Sequence, residues 1–282
     1  PDNASQSAAV RSAADRMSRI SVILPAYNAA ATLAVAGRSI LDQSARDLEL
    51  ILVDDGSTDA TPAVCEELSA DPRATVRRIT HGGVVAANNA GLEVAAGEYI
   101  ARMDADDWSA PDRLARQAAR LDADPGLGVV GCLVEYGGDR GAQAGYAAYV
   151  DWTNRLQTPE QISLARFIEL PIPNPSIMYR RGVLDQYGGY RHGDFPEDYD
   201  MILRWLDAGV QMAKVPQVLL RWNDPPTRLS RTDDRYRFQA FYRTKAEYLA
   251  RWLARNNPHH PKIIVWGASR TSRQRAELLV EH

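Results

Sequence analysis

The chain between about residue 19 and residue 135 alternates short apolar runs with stretches of amphipathic helical spacing. The apolar runs are ISVILPAY, LELILVDDG, ATVRRIT and GEYIARMDADD, and the stretches between them are ATLAVAGRSILDQ, TPAVCEELSA and VVAANNAGLEVAAG. A buried strand followed by an amphipathic helix, several times over, is typical of βαβ units around a mainly parallel sheet. The sequence therefore predicts an α/β fold to which this region contributes four strands.

The composition is that of an ordinary globular protein. The chain has 282 residues, 45% of them hydrophobic, which is enough for one large or two small domains. Its formal net charge of -3 argues against nucleic-acid binding, which needs a basic excess. No run approaches a membrane span, and the N-terminus lacks the apolar core of a signal peptide, so we expect a cytoplasmic protein. Cys65 and Cys132 lie in apolar surroundings and are expected to be buried thiols.

Three carboxylates, those of Asp104, Asp106 and Asp107, directly follow the apolar run YIARM. Because like charges repel, their concentration at the end of a buried strand indicates a cationic partner. A structural alternative stays open, in which Asp107 caps the following turn and Asp104 pairs with Arg102 or Arg113.

Two further turns are expected at the same edge of the sheet. Loops at the carboxyl ends of parallel strands face one crevice, so PAYN (25–28) and VDDGSTD (53–59) should lie near DADD (104–107). In the second turn, Asp54 or Asp55 can accept hydrogen bonds from a ligand. The alternative is an ordinary strand–turn–helix junction, in which Asp, Gly and Ser are common.

Three segments together resemble a known family. In chain order they are SVILPAYNAAATLAVAGRSILDQSARDLELILVDDGSTDATP, HGGVVAANNAGLEVAAGEYIARMDADD and PEDYDMILRW. Over roughly residues 19–222 the chain resembles family 2 of the nucleotide-sugar glycosyltransferases. The resemblance implies the GT-A fold, a Rossmann-like, mainly parallel sheet flanked by helices, here with an acceptor-side half and a C-terminal helical extension. It also implies transfer of a sugar, with inversion, from a nucleoside diphosphate to an acceptor hydroxyl.

The resemblance assigns the donor side of the site. It identifies the acidic strand end as the DXD motif, so that Asp104, Asp106 and Asp107 hold Mg²⁺ or Mn²⁺ against the donor diphosphate. The residues that it places at the nucleotide are Pro25, Tyr27, Asn28, Asp55, Gly83, Asp104, Ala105 and Asp106. Tyr27 is expected to lie against the base, although a core aromatic is the alternative. Many relatives carry arginine or lysine where Asn88 stands, so one contact to a phosphate or to the base must come from another residue. His81, the Gly82–Gly83 backbone and Arg102 are the alternatives.

The resemblance also assigns the acceptor side. In FPEDYD it implies that Asp198 is the general base and that Glu197 orients it or meets acceptor hydroxyls. The alternative is that these acidic residues only favour the dipole of the following helix. Asn174, Arg102 and Trp222 are candidates to face the donor sugar or acceptor, whereas Trp205 has the helical spacing of a core residue.

We expect five parts in the chain. The resemblance implies a nucleotide-sugar-binding half (19–135) and an acceptor-binding and catalytic half of the same domain (136–222). The composition indicates a flexible arm (1–18), a basic loop and helix (223–260), and the start of a further unit (261–282). The loop with Arg221, Arg228 and Arg231 is either a flap over the diphosphate or a solvated linker. The helix after it packs on its own domain or touches a membrane surface. The last part is either cut inside a longer protein or adds a strand to the sheet.

The expected function is therefore glycosyl transfer of the hexosyl or N-acetylhexosaminyl type, in polysaccharide synthesis for the cell envelope. The resemblance favours a UDP-sugar donor and a glycan or lipid-linked acceptor, at the inner face of the membrane or free in the cytoplasm. Thymidine and guanosine donors stay open, as do the sugar and the oligomeric state. A sugar-nucleotide-binding module without turnover is the alternative, suggested by Asn88 and Asn174. A nucleotidyltransferase would need a basic loop after the first strand, and PAYNAAATL has none.

Overall fold

A computed structural model describes residues 18–226, 228–267 and 269–282. Within them, eight strands form one mixed sheet in the order β3-β2-β1-β4-β7-β6-β8-β5. The strands are β1 (Ile20–Ala26), β2 (Leu48–Asp54), β3 (Ala74–Arg78), β4 (Tyr99–Arg102), β5 (Trp108–Ser109), β6 (Leu127–Tyr136), β7 (Met178–Arg180) and β8 (Gln211–Trp222). The α/β prediction is confirmed, and each of the four predicted runs contains one of the strands β1 to β4.

The first four strands form the parallel part of the sheet. β1 pairs in parallel with β2 and β4, and β2 pairs in parallel with β3. β7 is antiparallel to both β4 and β6, β6 is parallel to β8, and β5 is antiparallel to β8. Since β4 pairs with β7, the regions 19–135 and 136–222 contribute to one continuous sheet.

Eleven α-helices lie in the described residues. They are α1 (Leu33–Leu41), α2 (Thr61–Leu68), α3 (Gly83–Val94), α4 (Arg113–Ala123), α5 (Ala144–Asn154), α6 (Pro159–Ala165), α7 (Arg181–Tyr187), α8 (Glu197–Asp207), α9 (Leu229–Thr232), α10 (Phe238–Asn256) and α11 (Arg270–Glu277). Two short 3₁₀ turns cover Asn174–Ser176 and Asp234–Tyr236. None of these helices is both long and apolar enough to cross a bilayer.

The sheet separates two apolar cores because successive side chains of a strand point to opposite faces. In β1, Val22 and Leu24 belong to one core and Ile23 to the other. Helix α3 lies close against the second core at Gly91, where an added Cβ would be 2.6 Å from Cγ2 of Ile23. Glycine at this position therefore sets how near the helix can approach the sheet.

The two cysteines, Trp205 and helix α10 all contribute to the buried parts of the domain. Cys65 and Cys132 are buried free thiols, as predicted. Trp205 is fully buried and packs edge-on against Tyr179 with ring centroids 5.0 Å apart, which confirms its place in the core. Helix α10 buries Tyr248 against α8, where its hydroxyl donates to Asp200, so that this helix packs on its own domain.

The two ends of the chain give different outcomes. The predicted N-terminal arm (1–18) lies outside the described residues except for its last residue, Ser18. In the last part of the chain (261–282) an added strand of the sheet is one of the two alternatives, but residues 262–267 have no regular secondary structure and belong to no strand pair. Trp266 in this segment is 98% exposed.

Candidate active site

The site lies where the parallel strands β1, β2 and β4 end. Ala26 of β1 is in register with Asp54 of β2, and the amide of Met103, just after β4, donates to the carbonyl of Ile23 at 3.1 Å. The loops that follow these strands therefore open on the same edge of the sheet. The convergence of PAYN, VDDGSTD and DADD that the sequence predicts is present.

Asn28 joins the first two loops. It adopts a left-handed backbone conformation with φ 48°, which asparagine tolerates better than most residues. Its Oδ1 accepts a hydrogen bond from the amide of Thr58 at 2.9 Å, and its own amide donates to Oγ of Ser57 at 3.0 Å. Asn28 therefore holds the turn after β1 against the turn after β2.

Asp55 is committed to the start of α3. Its Oδ1 accepts from the amide of Gly82 at 2.8 Å and its Oδ2 from the amide of Gly83 at 2.9 Å, and Nδ1 of His81 lies 2.9 Å from Oδ2. Gly83 has φ +81°, a conformation that favours glycine. Beside this turn the ring of Tyr27 stacks on His81 at 4.0 Å and remains 47% exposed, so Tyr27 is not a core aromatic.

The acidic cluster consists of Asp104, Asp106 and Asp107, which offer carboxylate oxygens all within 4.8 Å of one another. Burial, followed by the charge of Asp104, raises the pKa of Asp106 to about 6 and that of Asp107 well above its usual range. Oδ1 of Asp107 accepts from the amide of Asn223 at 2.8 Å, but its buried Oδ2 has no partner. A cation would relieve both the mutual repulsion and the orphaned oxygen.

Arg102 is a buried partner of the acidic cluster. It is only 3% exposed, and its guanidinium donates to Oδ1 of Asp104 at 2.8 Å and to the carbonyl of Met103. The pairing of Asp104 with Arg102, which was part of the structural alternative, is therefore present, whereas Arg113 donates to the carbonyls of Arg102 and Pro175. Arg102 is an internal partner of the acidic loop rather than an open sugar contact.

Helix α8 brings Glu197 and Asp198 to the same region. Glu197 is buried, and both its carboxylate oxygens accept from the hydroxyl of Tyr236 at 2.8 Å. Asp198 is half-buried, and its Oδ1 accepts from the amide of Tyr199 at 2.7 Å. Burial, followed by the charge of Glu197, raises the pKa of Asp198 to about 8, and the charge of Asp104 acts in the same direction.

The remaining predicted residues are less accessible than their chemistry suggests. Asn88 is fully buried inside α3, where its amide donates to the carbonyl of Val84. Asn174 is buried and accepts from the hydroxyl of Tyr190 at 2.9 Å. Trp222 is buried beneath Arg228, whose guanidinium lies 3.7 Å from the ring centroid. In this structure the exposed face expected for sugar stacking on Trp222 is therefore covered.

Comparison with known proteins decides the family. A family model described as glycosyl transferase family 2 matches residues 21–188. EpsE of Bacillus subtilis (strain 168), named as a glycosyltransferase, is 32% identical over 212 residues, which is 72% of each chain. This chain belongs to glycosyl transferase family 2. The succinoglycan biosynthesis protein ExoO of Rhizobium meliloti is 39% identical, but the match covers only 39% of this chain and 32% of ExoO.

Solved structures place this family 2 chain in the GT-A fold. TarS of S. aureus in complex with UDP-GlcNAc superposes with a TM-score of 0.67 at 19% identity, over 93% of this chain and 71% of that one. The mannosyltransferase PcManGT from Pyrobaculum calidifontis, in complex with GDP-Man and Mn²⁺, gives a TM-score of 0.60 at 22% identity, over 95% and 70% of the two chains.

The structure of this family 2 member also contains site neighbours that sequence reasoning missed. Nδ2 of Asn223 donates to the carbonyl of Asp106 at 2.7 Å, and Tyr236 caps Glu197. The side chain of Asp224 is buried and accepts from Arg231 at 2.7 Å, which is not the behaviour of a solvated linker. The position of Asn223 directly after an apolar run was the available signal, whereas nothing local to Tyr236 indicated its contact.

Proposed function

We propose that this chain is a metal-dependent, inverting glycosyltransferase that moves a sugar from a UDP donor to a hydroxyl of a glycan or lipid-linked acceptor. The observation that carries the proposal is the acidic cluster at the end of β4, whose buried Asp107 has a carboxylate oxygen without a partner, together with the half-buried Asp198 at the start of α8. The nucleotide sugars bound by TarS and PcManGT support a donor of this class.

The acidic cluster suits a divalent cation. Asp104, Asp106 and Asp107 supply hard oxygen ligands within 4.8 Å, and Mg²⁺ or Mn²⁺ is commonly held by a few carboxylates together with substrate phosphates. When bound, such an ion neutralises the negative charge that develops on the departing nucleoside diphosphate. Arg102 supports this role because it fixes the carboxylate of Asp104 from the interior.

The nucleotide is proposed to lie between the turns after β1 and β2. The half-exposed ring of Tyr27 offers an aromatic surface to the base, and Asn28 with Pro25 shapes that wall. Oδ1 of Asp55 retains a lone pair beyond its bond to the amide of Gly82, which a base or ribose donor can use. Because Gly83 has no side chain, its backbone can lie close to the diphosphate.

Asp198 is proposed as the general base. One of its oxygens takes the proton of the acceptor hydroxyl while that hydroxyl forms the new bond to the anomeric carbon. The bond from that carbon to the diphosphate oxygen breaks on the opposite face, and the electron pair leaves with the nucleoside diphosphate. The raised pKa of Asp198, about 8, makes its carboxylate a stronger base than an ordinary aspartate.

The acceptor is proposed to enter beside residues 136–222, opposite the donor half formed by residues 19–135. The name of ExoO, a succinoglycan biosynthesis protein, supports a role in polysaccharide synthesis. Lipid-linked intermediates of such synthesis would place the enzyme at the inner face of the membrane. The transferred group is proposed to be a hexosyl or N-acetylhexosaminyl residue.

The test is a panel of nucleotide sugars and free nucleotides, each measured for thermal stabilisation with Mn²⁺ and with EDTA. A ligand that binds only the folded state raises the melting temperature. We expect UDP and one UDP-sugar to stabilise the protein in Mn²⁺ alone, with slow release of UDP from that sugar. Stabilisation by a GDP- or dTDP-sugar only would reject the UDP donor. Stabilisation without any UDP release would favour a binding module, and no stabilisation at all would reject the proposal.

A further inference from the structure

The contact between Tyr236 and Glu197 joins two distant parts of the chain. Tyr236 lies in the 3₁₀ turn Asp234–Tyr236, at the end of the connection between β8 and α10, and Glu197 is the first residue of α8. The phenol oxygen is 2.8 Å from each carboxylate oxygen of Glu197. Burial, followed by the charge of Glu197, raises the pKa of Tyr236, so the phenol keeps its proton and acts as the donor.

The other end of the same connection is fixed at the acidic cluster. Asn223 directly follows β8, and its amide donates to Oδ1 of Asp107 at 2.8 Å. Its side chain donates to the carbonyl of Asp106 at 2.7 Å. The connection between β8 and α10 is therefore attached to the donor side at its start and to the acceptor side at its end.

We propose that Tyr236 is a positioning residue for the acceptor base: it holds Glu197, and through the first turn of α8 it holds Asp198 for proton transfer, without taking part in nucleotide binding. This inference rests on the proposed function, in which Asp198 removes the acceptor proton. Asp198 is one peptide unit from Glu197, so a shift of the first turn moves both carboxylates.

The charge on Glu197 gives this role a measurable signature. The hydrogen bond from Tyr236 opposes the burial that raises the pKa of Glu197, and ionised Glu197 in turn raises the pKa of Asp198. Without the phenol, Glu197 takes up a proton at higher pH, its repulsion of Asp198 weakens, and the pKa of Asp198 falls. The titratable or charged groups that interact electrostatically with Asp198 are Glu197, Asp104, Arg102, Tyr149, Tyr190 and Tyr236.

The experiment compares Tyr236→Phe with the matched control Tyr146→Phe. Tyr146, in α5, also bonds this connection, since its hydroxyl lies 2.9 Å from Oγ of Ser230, but that hydroxyl bonds neither Glu197 nor Asp198. Each variant therefore removes one hydroxyl that bonds the connection between β8 and α10 to another part of the domain. Turnover is followed as UDP release from the UDP-sugar that stabilises the wild type, with water as acceptor, across pH 5.5–9, and UDP affinity is measured by calorimetry in Mn²⁺.

For Tyr236→Phe we expect kcat to fall at least about tenfold, because a small misplacement of the base is costly. The donor KM and the UDP affinity should stay within about twofold, and the acidic limb of kcat/KM should move to lower pH. Tyr146→Phe should leave all of these within about twofold. Glu197→Gln should move the acidic limb in the same direction, and the double variant should be no worse than the poorer single variant.

Two outcomes overturn the inference. Turnover and acidic limb of Tyr236→Phe equal to those of the wild type would exclude a positioning role, and an equal loss in Tyr146→Phe would assign the effect to general anchoring of the connection. A wild type that binds UDP and releases it from the sugar, with an unaffected Tyr236→Phe, rejects only this inference. A wild type that binds no nucleotide rejects the proposed function as well.

Discussion

Replacement of Asp198 by asparagine tests the proposed base most directly. The amide has nearly the same shape, and its oxygen can still accept from the amide of Tyr199, so α8 should keep its first turn. The variant loses one property, the ability to take up a proton near neutral pH, because an amide cannot supply it. We expect turnover to fall by roughly 10²–10⁴-fold, the usual contribution of a general base. UDP affinity in Mn²⁺ should be unchanged.

The same substitution should stabilise the protein, and more so at higher pH. The pKa of Asp198 is about 8 in the folded protein against 3.8 ordinarily, so between these values the folded state keeps a proton that the unfolded state has released. The free energy of unfolding of the wild type therefore falls as pH rises through this window, by at most about 1.4 kcal/mol per pH unit. Water screens a half-buried group, so we expect the free energy of unfolding to change by less than this limit. The melting temperature of the wild type should then fall by roughly 2 °C or less per pH unit.

The measurement is a set of melting curves in EDTA from pH 5 to pH 8.5, together with turnover in Mn²⁺. Asp200→Asn, two residues along α8, is the matched control. Asp200 accepts from the hydroxyl of Tyr248 at 2.7 Å, so its loss of charge should lower the melting temperature while turnover persists. If Asp198→Asn kept turnover, or if its gain in stability did not grow with pH, the assignment of Asp198 as the base would be wrong.

Two further predictions concern the metal and the packing of α3. Asp106→Asn should weaken UDP affinity at least about tenfold in Mn²⁺ and leave it unchanged in EDTA, as measured by calorimetry, since only metal-assisted binding uses this carboxylate; equal affinities in Mn²⁺ would reject the metal site. Gly91→Val should lower the free energy of unfolding by about 1–3 kcal/mol in urea, because a new Cβ would lie 2.6 Å from Ile23. Gly145→Ala is its control, since nothing lies within 4 Å of the added Cβ, and a loss as large there would contradict the packing argument.

The parallel part of the fold could be predicted because its signal is local. Each of β1 to β4 is a short apolar run followed by a turn, and the pairing of such strands follows from the βαβ rule. The antiparallel part was harder to predict. β7 has three residues and β5 has two, and their partners are distant in sequence. Three successive exposed residues, Pro216, Gln217 and Val218, interrupt β8, so its length of twelve residues has no clear pattern in the sequence.

Side-chain chemistry alone does not predict which of the candidate site residues are exposed. Arg102 and Trp222 have the right chemistry to meet a sugar, but one is enclosed beneath the acidic loop and the other lies under Arg228. The acidic loop and Arg228 cover these two residues because of the course of the backbone, which no local sequence pattern predicts. The capping of Glu197 by Tyr236 spans 39 residues of sequence and depends on the same long connection.

The different burial of Glu197 and Asp198 explains why two adjacent carboxylates are suited to different roles. Consecutive residues of a helix point about 100° apart, so one can face the interior while its neighbour faces the crevice. Both oxygens of Glu197 already accept from Tyr236, and Glu197 is only 3% exposed. Asp198 uses one oxygen for the amide of Tyr199 and is half-buried, so it can still meet an acceptor hydroxyl. A resemblance that marks the pair as one acidic element cannot separate the proposed roles, whereas the exposure and partners of each carboxylate support the proposed division.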